Sequence, residues 1–261
     1  MRLLALLTAS ALALALSACA LPYRTPNPSF GVTHAQAVSD LRRMETAPVT
    51  LERPLIIAGG IGDPSISTNA ILGAIRGTVA GVIIPLDFLD EPTFPGARQK
   101  MLRVTAETLG VDLDHLPEVD VVAFSMGGLV ARDAAEYDAA GRRLPIRRLY
   151  TICTPHEGAR LAGIPLGTPQ SEEMKPTSDF LHRLRSASRD YELCCYTRLD
   201  DITVGEEFAA PNDAPLWWLP TPNGEWAHLH AFEDVRLMAD IARRLRGEAP
   251  YSTLPPTPLP V

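Results

Sequence analysis

The chain predicts an α/β fold, with a mainly parallel central sheet and helices on both of its faces. Three observations lead there. Short apolar runs alternate with longer segments of helical spacing, the pattern of parallel strands joined by crossover helices. The runs are apolar throughout, as expected of strands buried on both sides. Residues suited to polar chemistry fall at the carboxyl ends of these runs, where open sheets of this kind place their reactive groups.

The elements follow in order. Residues 33–45 have helical spacing. Pro54 to Ala58 is a buried strand ended by Gly59-Gly60. Residues 67–76 are helical, Val79 to Leu86 is a second strand, and 97–109 is an amphipathic helix. Val119 to Phe124 is a strand and Gly127 to Ala140 the helix after it. Leu149 to Cys153 is a strand, 177–187 a helix, Glu192 to Thr197 a strand, and Leu216 to Leu219 a candidate last strand. Residues 231–246 form the final helix. No internal repeat is present. The chain has 261 residues, enough for one substantial core. It is 46% hydrophobic and 21% charged, with a formal charge of −7. No basic stripe appears, which argues against a nucleic-acid partner.

The ends differ from the middle. Arg2 precedes an almost unbroken Leu/Ala run from Leu3 to Leu16, too short for a comfortable membrane span but suited to a secretory signal peptide. Residues 20–32 carry Pro22, Pro26 and Pro28 and read as a tether. The Pro-rich tail, 248–261, reads as disordered, leaving 33–247 as the folded domain. Leu16-Ser17-Ala18-Cys19 resembles the lipobox of bacterial lipoproteins. That resemblance implies removal of residues 1–18, acylation of Cys19 and, with Ala20 following, anchoring in the outer membrane. Cleavage near Ala18 or Ala20 to a soluble periplasmic or secreted protein is the alternative. Of the other cysteines, adjacent Cys194 and Cys195 would point to opposite sides of a strand, so at most one could pair with Cys153. Buried free thiols fit equally well. With no nearby His pair, their spacing suits a metal poorly.

Ala123-Phe124-Ser125-Met126-Gly127-Gly128 lies where a strand gives way to a helix. A small-x-Ser-x-Gly pattern there marks a sharp turn that lifts the serine above the sheet. Ala123 stands where the pattern has its first Gly. Ser125 is the candidate nucleophile, and the helix behind it favours developing negative charge. The bland reading is a serine that merely caps a helix.

Five segments in order, over residues 50–246, resemble bacterial lipases and esterases of the α/β-hydrolase superfamily: Pro54 to Gly62, Ala123 to Gly128, Thr151 to Ala159 with its Thr154-Pro155-His156, Leu199 to Gly205, and Trp226 to His230. Met174 to Leu181 looks like the segment these enzymes carry between the Thr-Pro-His segment and the acid. The resemblance implies an α/β-hydrolase fold, a Ser-Asp-His triad and an acyl-enzyme intermediate. His228 matches the catalytic His, with His230 the competitor on the same face. Asp201, placed ahead of Val204 and Gly205, is preferred as the acid, and Asp200, ahead of Ile202, is the alternative. The oxyanion hole would use the backbone N–H groups of Met126 and Ile61, although Gly59 stands where the family usually has His. His156 is structural by the same resemblance, satisfied by backbone hydrogen bonds. His34, His115 and His182 lie outside the matching segments.

The implied reaction is hydrolysis of a carboxylic ester, small-molecule or lipid, with no metal or organic cofactor. An acyltransferase or amidase acting on envelope components, or a non-catalytic lipoprotein keeping the fold, are the other readings. Leu86, Phe88, Leu89, Trp217 and Trp218 are candidates to line an acyl pocket, and otherwise core.

Overall fold

The computed structural model describes residues 26–163 and 168–260. The expected signal peptide, Cys19 and the expected tether up to residue 25 lie outside the described residues. Six parallel strands form the central sheet: β1 (Leu55–Ala58), β2 (Ile83–Leu86), β3 (Val119–Phe124), β4 (Ile146–Ile152), β5 (Glu192–Arg198) and β6 (Leu216–Leu219). Their spatial order is β2-β1-β3-β4-β5-β6. Chain order reverses beside β1 and β3, and loops at the carboxyl ends open there to leave a crevice.

Seven helices cover this sheet: α1 (His34–Glu45), α2 (Ile66–Ile75), α3 (Phe94–Leu109), α4 (Met126–Ala135), α5 (Pro169–Glu173), α6 (Asp179–Ser186) and α7 (Val235–Leu245). Strand residues alternate between two cores. Ile56, Ala58, Val121 and Ala123 pack with α3, α4 and α6 on one face. Leu55, Ile57, Val122 and Phe124 pack with α1, α2 and α7 on the other. The one acidic residue in β3, Asp120, is buried against Arg148, its register partner on β4, which donates to it at 3.1 and 2.8 Å.

Several boundaries move from the sequence reading. The run from Val79 breaks at Gly81, whose φ of +134° turns the chain. Val79–Ala80 pairs with Val49–Thr50 in a small separate sheet before β2 begins. Helix α4 stops at Ala135 rather than 140, because Asp138 accepts the N–H groups of Ala140 and Arg142 and closes a loop there. The final helix starts at Val235, after a short 3-10 turn over Ala231–Glu233. Cys153, Cys194 and Cys195 are all buried free thiols.

Two expectations about the ends are corrected. The supposed tether is folded from Asn27 onward: the Asn27 amide donates to Trp218 O at 2.8 Å and Phe30 is buried against Tyr196. The tail packs over β6 and α7 instead of being disordered. Thr257 N–H donates to Ser29 Oγ, and the indole N–H of Trp218 donates to the carbonyls of Thr257 and Pro258. The Ser252 N–H and hydroxyl both donate to Asp240, which also accepts from Tyr196. A proline-rich segment cannot form a helix or a central strand, but its carbonyls remain free to satisfy buried donors. Among the described residues, no helix is long and apolar enough to cross a membrane.

Truncation after Glu248 leaves three groups short of partners: Asp240, the indole of Trp217, which donates to Thr253 O, and the indole of Trp218. It is expected to cost about 3 kcal/mol, at roughly 1 kcal/mol per group deprived of its partners, measured by urea unfolding.

Candidate active site

The site begins with a backbone conformation. Ser125, directly after β3, has φ 52° and ψ −127°, a region that disfavours a side chain. Three hydrogen bonds hold it there. Its N–H donates to Ile152 O at 2.9 Å, and its carbonyl accepts from Thr154 Oγ1 at 2.8 Å and from Gly128 N–H at 3.1 Å. The small residues flanking the turn are required by contact. A Cβ on Gly127 would lie 2.5 Å from Gly59 O, and one on Gly128 would collide with Thr154.

The Ser125 hydroxyl lies 3.1 Å from His228 Nε2, and His228 Nδ1 lies 2.8 Å from Asp201 Oδ2. Asp201 Oδ1 accepts the N–H groups of Thr203 and Val204 at 2.9 and 3.1 Å. Burial on its own would push this carboxyl up. The hydrogen bond and charge of His228, with the two backbone donors, outweigh it and hold the carboxyl below its ordinary value. An ionised Asp201 accepts only, so Nδ1 carries the imidazole proton and Nε2 is left to accept from Ser125. Phe124 packs on the His228 ring at 5.0 Å between centroids and is itself held edge-on by Phe232.

The structure therefore brings Ser125, His228 and Asp201 together and leaves out both competitors. His230 turns its Nδ1 to Trp226 O at 3.0 Å and borders a different cleft. Asp200 is exposed, and its φ of +64° makes it the turning residue that swings Asp201 inward. Ile61 lines the cavity over Ser125, and Met126 is the first residue of α4. The loop bearing Ile61 passes close to the serine, since a Cβ on Gly60 would lie 3.3 Å from Ser125 Cβ. The departure at Gly59 also has a reason. Asp63 caps α2 by accepting from Ile66 and Ser67, and a Cβ on Gly59 would press on that carboxylate at 3.0 Å.

His156 is fully buried, but side chains rather than backbone satisfy its ring. Nδ1 accepts from Arg132 at 3.0 Å, and Nε2 lies 3.0 Å from Thr151 Oγ1. Burial first, and the nearby Arg132 charge second, push its pKa well down, so it stays neutral. It anchors the turn that carries Thr154 beneath Ser125. His34, His115 and His182 are exposed.

Cys153, Asp201 and His228 form a three-donor cluster with ligand atoms within 4.8 Å of one another. Burial and the Asp201 charge push the Cys153 thiol well up, and the other two donors are bonded to each other. That donor set suits a metal poorly.

The cavity above Ser125 has a volume of about 400 Å³. The expected acyl-pocket residues do not line it. Leu86 and Phe88 are core, Leu89 is an exposed loop residue, and Trp217 and Trp218 lie under the tail. Its walls come from loops instead: Ala159, Leu161 and Met174 on one side, Val204, Leu229 and Phe232 on the other. These residues carry no periodic signal, which is why the sequence reading missed them. Neighbours of Thr154-Pro155-His156 and of His228 were the only hint available.

No protein-family model and no curated protein matches this chain. Solved structures do. Phospholipase PlaB from Legionella pneumophila aligns with a TM-score of 0.57 at 11% identity, over 76% of this chain and 60% of that one. Aspergillus fumigatus lipase B aligns with a TM-score of 0.50 at 14% identity, over 76% and 53%. The chain spans little more than half the length of these proteins. At such identities the likeness is one of fold. With the parallel sheet and the strand–turn–helix at Ser125, it makes this an α/β-hydrolase fold.

Two outcomes are expected. Gly127→Ala forces a methyl group onto a backbone carbonyl and should destabilise the fold by about 3 kcal/mol, read by urea unfolding. Asp201 binds its proton more weakly folded than unfolded. Its carboxylate therefore contributes full stability above the unfolded value near pH 4, and the contribution is lost as pH falls through the lower folded value. The stability gap between wild type and Asp201→Asn should shrink as pH drops below about 4, measured by urea unfolding across a pH series.

Proposed function

We propose that the protein is a serine hydrolase that cleaves carboxylic esters, with Ser125 as nucleophile, His228 as general base and Asp201 as the acid that orients it. The observation that carries this reading is the continuous hydrogen-bond chain from the Ser125 hydroxyl through both ring nitrogens of His228 to Asp201. In this mechanism Ser125 Oγ attacks the ester carbonyl while its proton passes to His228 Nε2. Asp201 stabilises the imidazolium. The tetrahedral oxyanion is met by the backbone N–H groups of Met126 and Ile61, aided by the N-terminus of α4. The imidazolium then protonates the departing alcohol. Water, activated by the same His228, attacks the acyl-enzyme and releases the acid, returning the proton to Ser125.

The apolar walls of the cavity support an acyl group as the moiety bound there, since an acyl chain buries its surface without unmet hydrogen bonds. The Leu/Ala run and Cys19 support export of the protein and its anchoring to an outer membrane by lipid.

A fluorophosphonate probe should label the wild-type chain at Ser125 and fail on Ser125→Ala. Hydrolysis of p-nitrophenyl esters should fall by about 10⁴-fold or more in His228→Gln and change little in His230→Gln. Equal losses in both His variants, or labelling that survives Ser125→Ala, would refute the assignment. Competing acyl acceptors added to the same assay separate hydrolysis from acyl transfer.

A further inference from the structure

Four of the large apolar side chains that the described residues leave exposed gather round one opening, and a fifth stands next in the chain to residues of its wall. Ile61, Ile66, Trp226 and Leu229 line the cavity over Ser125 and are exposed at its mouth. Ile202 is 66% exposed and precedes Thr203 and Val204, which line the wall. Single exposed apolar residues need no explanation, but a cluster rimming an apolar cavity does. Ile61 lies on the loop after β1, Ile66 opens α2, and Ile202, Trp226 and Leu229 lie on two later loops, so no single local chain feature accounts for the arrangement.

A second observation places the start of the described chain on the same end of the sheet. Asn27 bonds to Trp218, the penultimate residue of β6, on the end of the sheet where the site lies. His34, which opens α1, shares a cleft with Glu225 and His230, on the loop that carries Trp226 and Leu229. Between Cys19 and Pro26 stand only residues 20–25, which reach about 20 Å at full extension. A lipid on Cys19 would thus hold the rim close to the bilayer that the lipid enters.

We propose that this rim is a lipid-docking surface: Ile61, Ile66, Ile202, Trp226 and Leu229 enter the interfacial layer of a zwitterionic bilayer and open the cavity directly onto it. The substrate class is then an acyl ester drawn from the membrane, without passage through water. The substrate part rests on the ester-hydrolase reading, while the docking part does not. A tryptophan flanked by aliphatic residues suits the interface, where an amphipathic ring and partly buried apolar chains are both stable. The net charge of −7 gives no attraction toward an anionic membrane, so apolar burial has to supply the binding.

The chain carries its own reporter. It has three tryptophans, of which Trp217 and Trp218 are 2% and 3% exposed and Trp226 is 68% exposed. The test uses residues 19–261 with Cys19→Ser, which leaves out the apolar Leu3–Leu16 run and removes the acylation site, and phosphatidylcholine vesicles. Cosedimentation with the vesicles, a blue shift of the emission and protection from acrylamide quenching are expected. Ile202→Ser should weaken partition roughly fivefold, the value of part of one isoleucine's apolar surface, and leave turnover of a soluble short-chain ester unchanged. Trp226→Ala should also weaken cosedimentation. The proposal fails if vesicles leave Trp226 quenchable, or if binding occurs but neither variant weakens it. It also fails if sedimentation velocity shows that self-association, not lipid, covers Trp226. Ser125→Ala should bind vesicles like the parent. If binding holds while no ester is hydrolysed, docking stands and the hydrolase reading falls.

Discussion

The site depends on one strained residue. A serine at φ 52° after a buried strand is unfavourable locally and persists only where its surroundings over-determine it. Here three hydrogen bonds and the close approach of Gly127 to the end of β1 do so. Ile152 O fixes the N–H, Thr154 and Gly128 fix the carbonyl, and Gly127 lets α4 start against the end of β1. The consequence is geometric. The hydroxyl stands clear of the sheet at the positive end of a helix, within 3.1 Å of a ring nitrogen from a loop a hundred residues away in sequence.

Beneath that turn the protein keeps polar groups buried, and each is matched. His156 stays neutral between Arg132 and Thr151, and Arg132 also donates to Leu184 O at 2.6 Å. This arrangement ties β4, α4 and α6 together below the turn at Ser125. Asp240 does the same work on the opposite face, where the tail and β5 meet α7. A buried polar group left unmatched costs more than a matched one gains, so such networks hold one arrangement against near alternatives.

Above the turn the chemistry changes character. The cavity walls are apolar and built from loops, and the same apolar surface continues outward over the rim. On the proposed ester-hydrolase reading, an acyl chain would lie along these walls with its carbonyl at Ser125. The fold leaves room for this on the carboxyl side of β1 and β3, where neighbouring connections leave in opposite directions.

The sequence by itself determined the strand–helix alternation, the parallel sheet, the turn at Ser125 and the narrow choice among Asp200, Asp201, His228 and His230. The first three rest on local chemistry, in apolar runs, glycines where no Cβ fits and residue order, and the last rests on the resemblance to lipases and esterases of the α/β-hydrolase superfamily. Only the tertiary structure decided which Asp faces inward, because that depends on Asp200 taking the left-handed turn conformation. It alone separated His228 from His230, since two residues of like spacing differ only in what packs on them, here Phe124. It also decided that the Pro-rich tail is part of the fold, because the donors that its carbonyls satisfy lie 36 to 40 residues away, on β6. Composition reports what a segment cannot do alone; partners distant in the chain decide what it does in the fold.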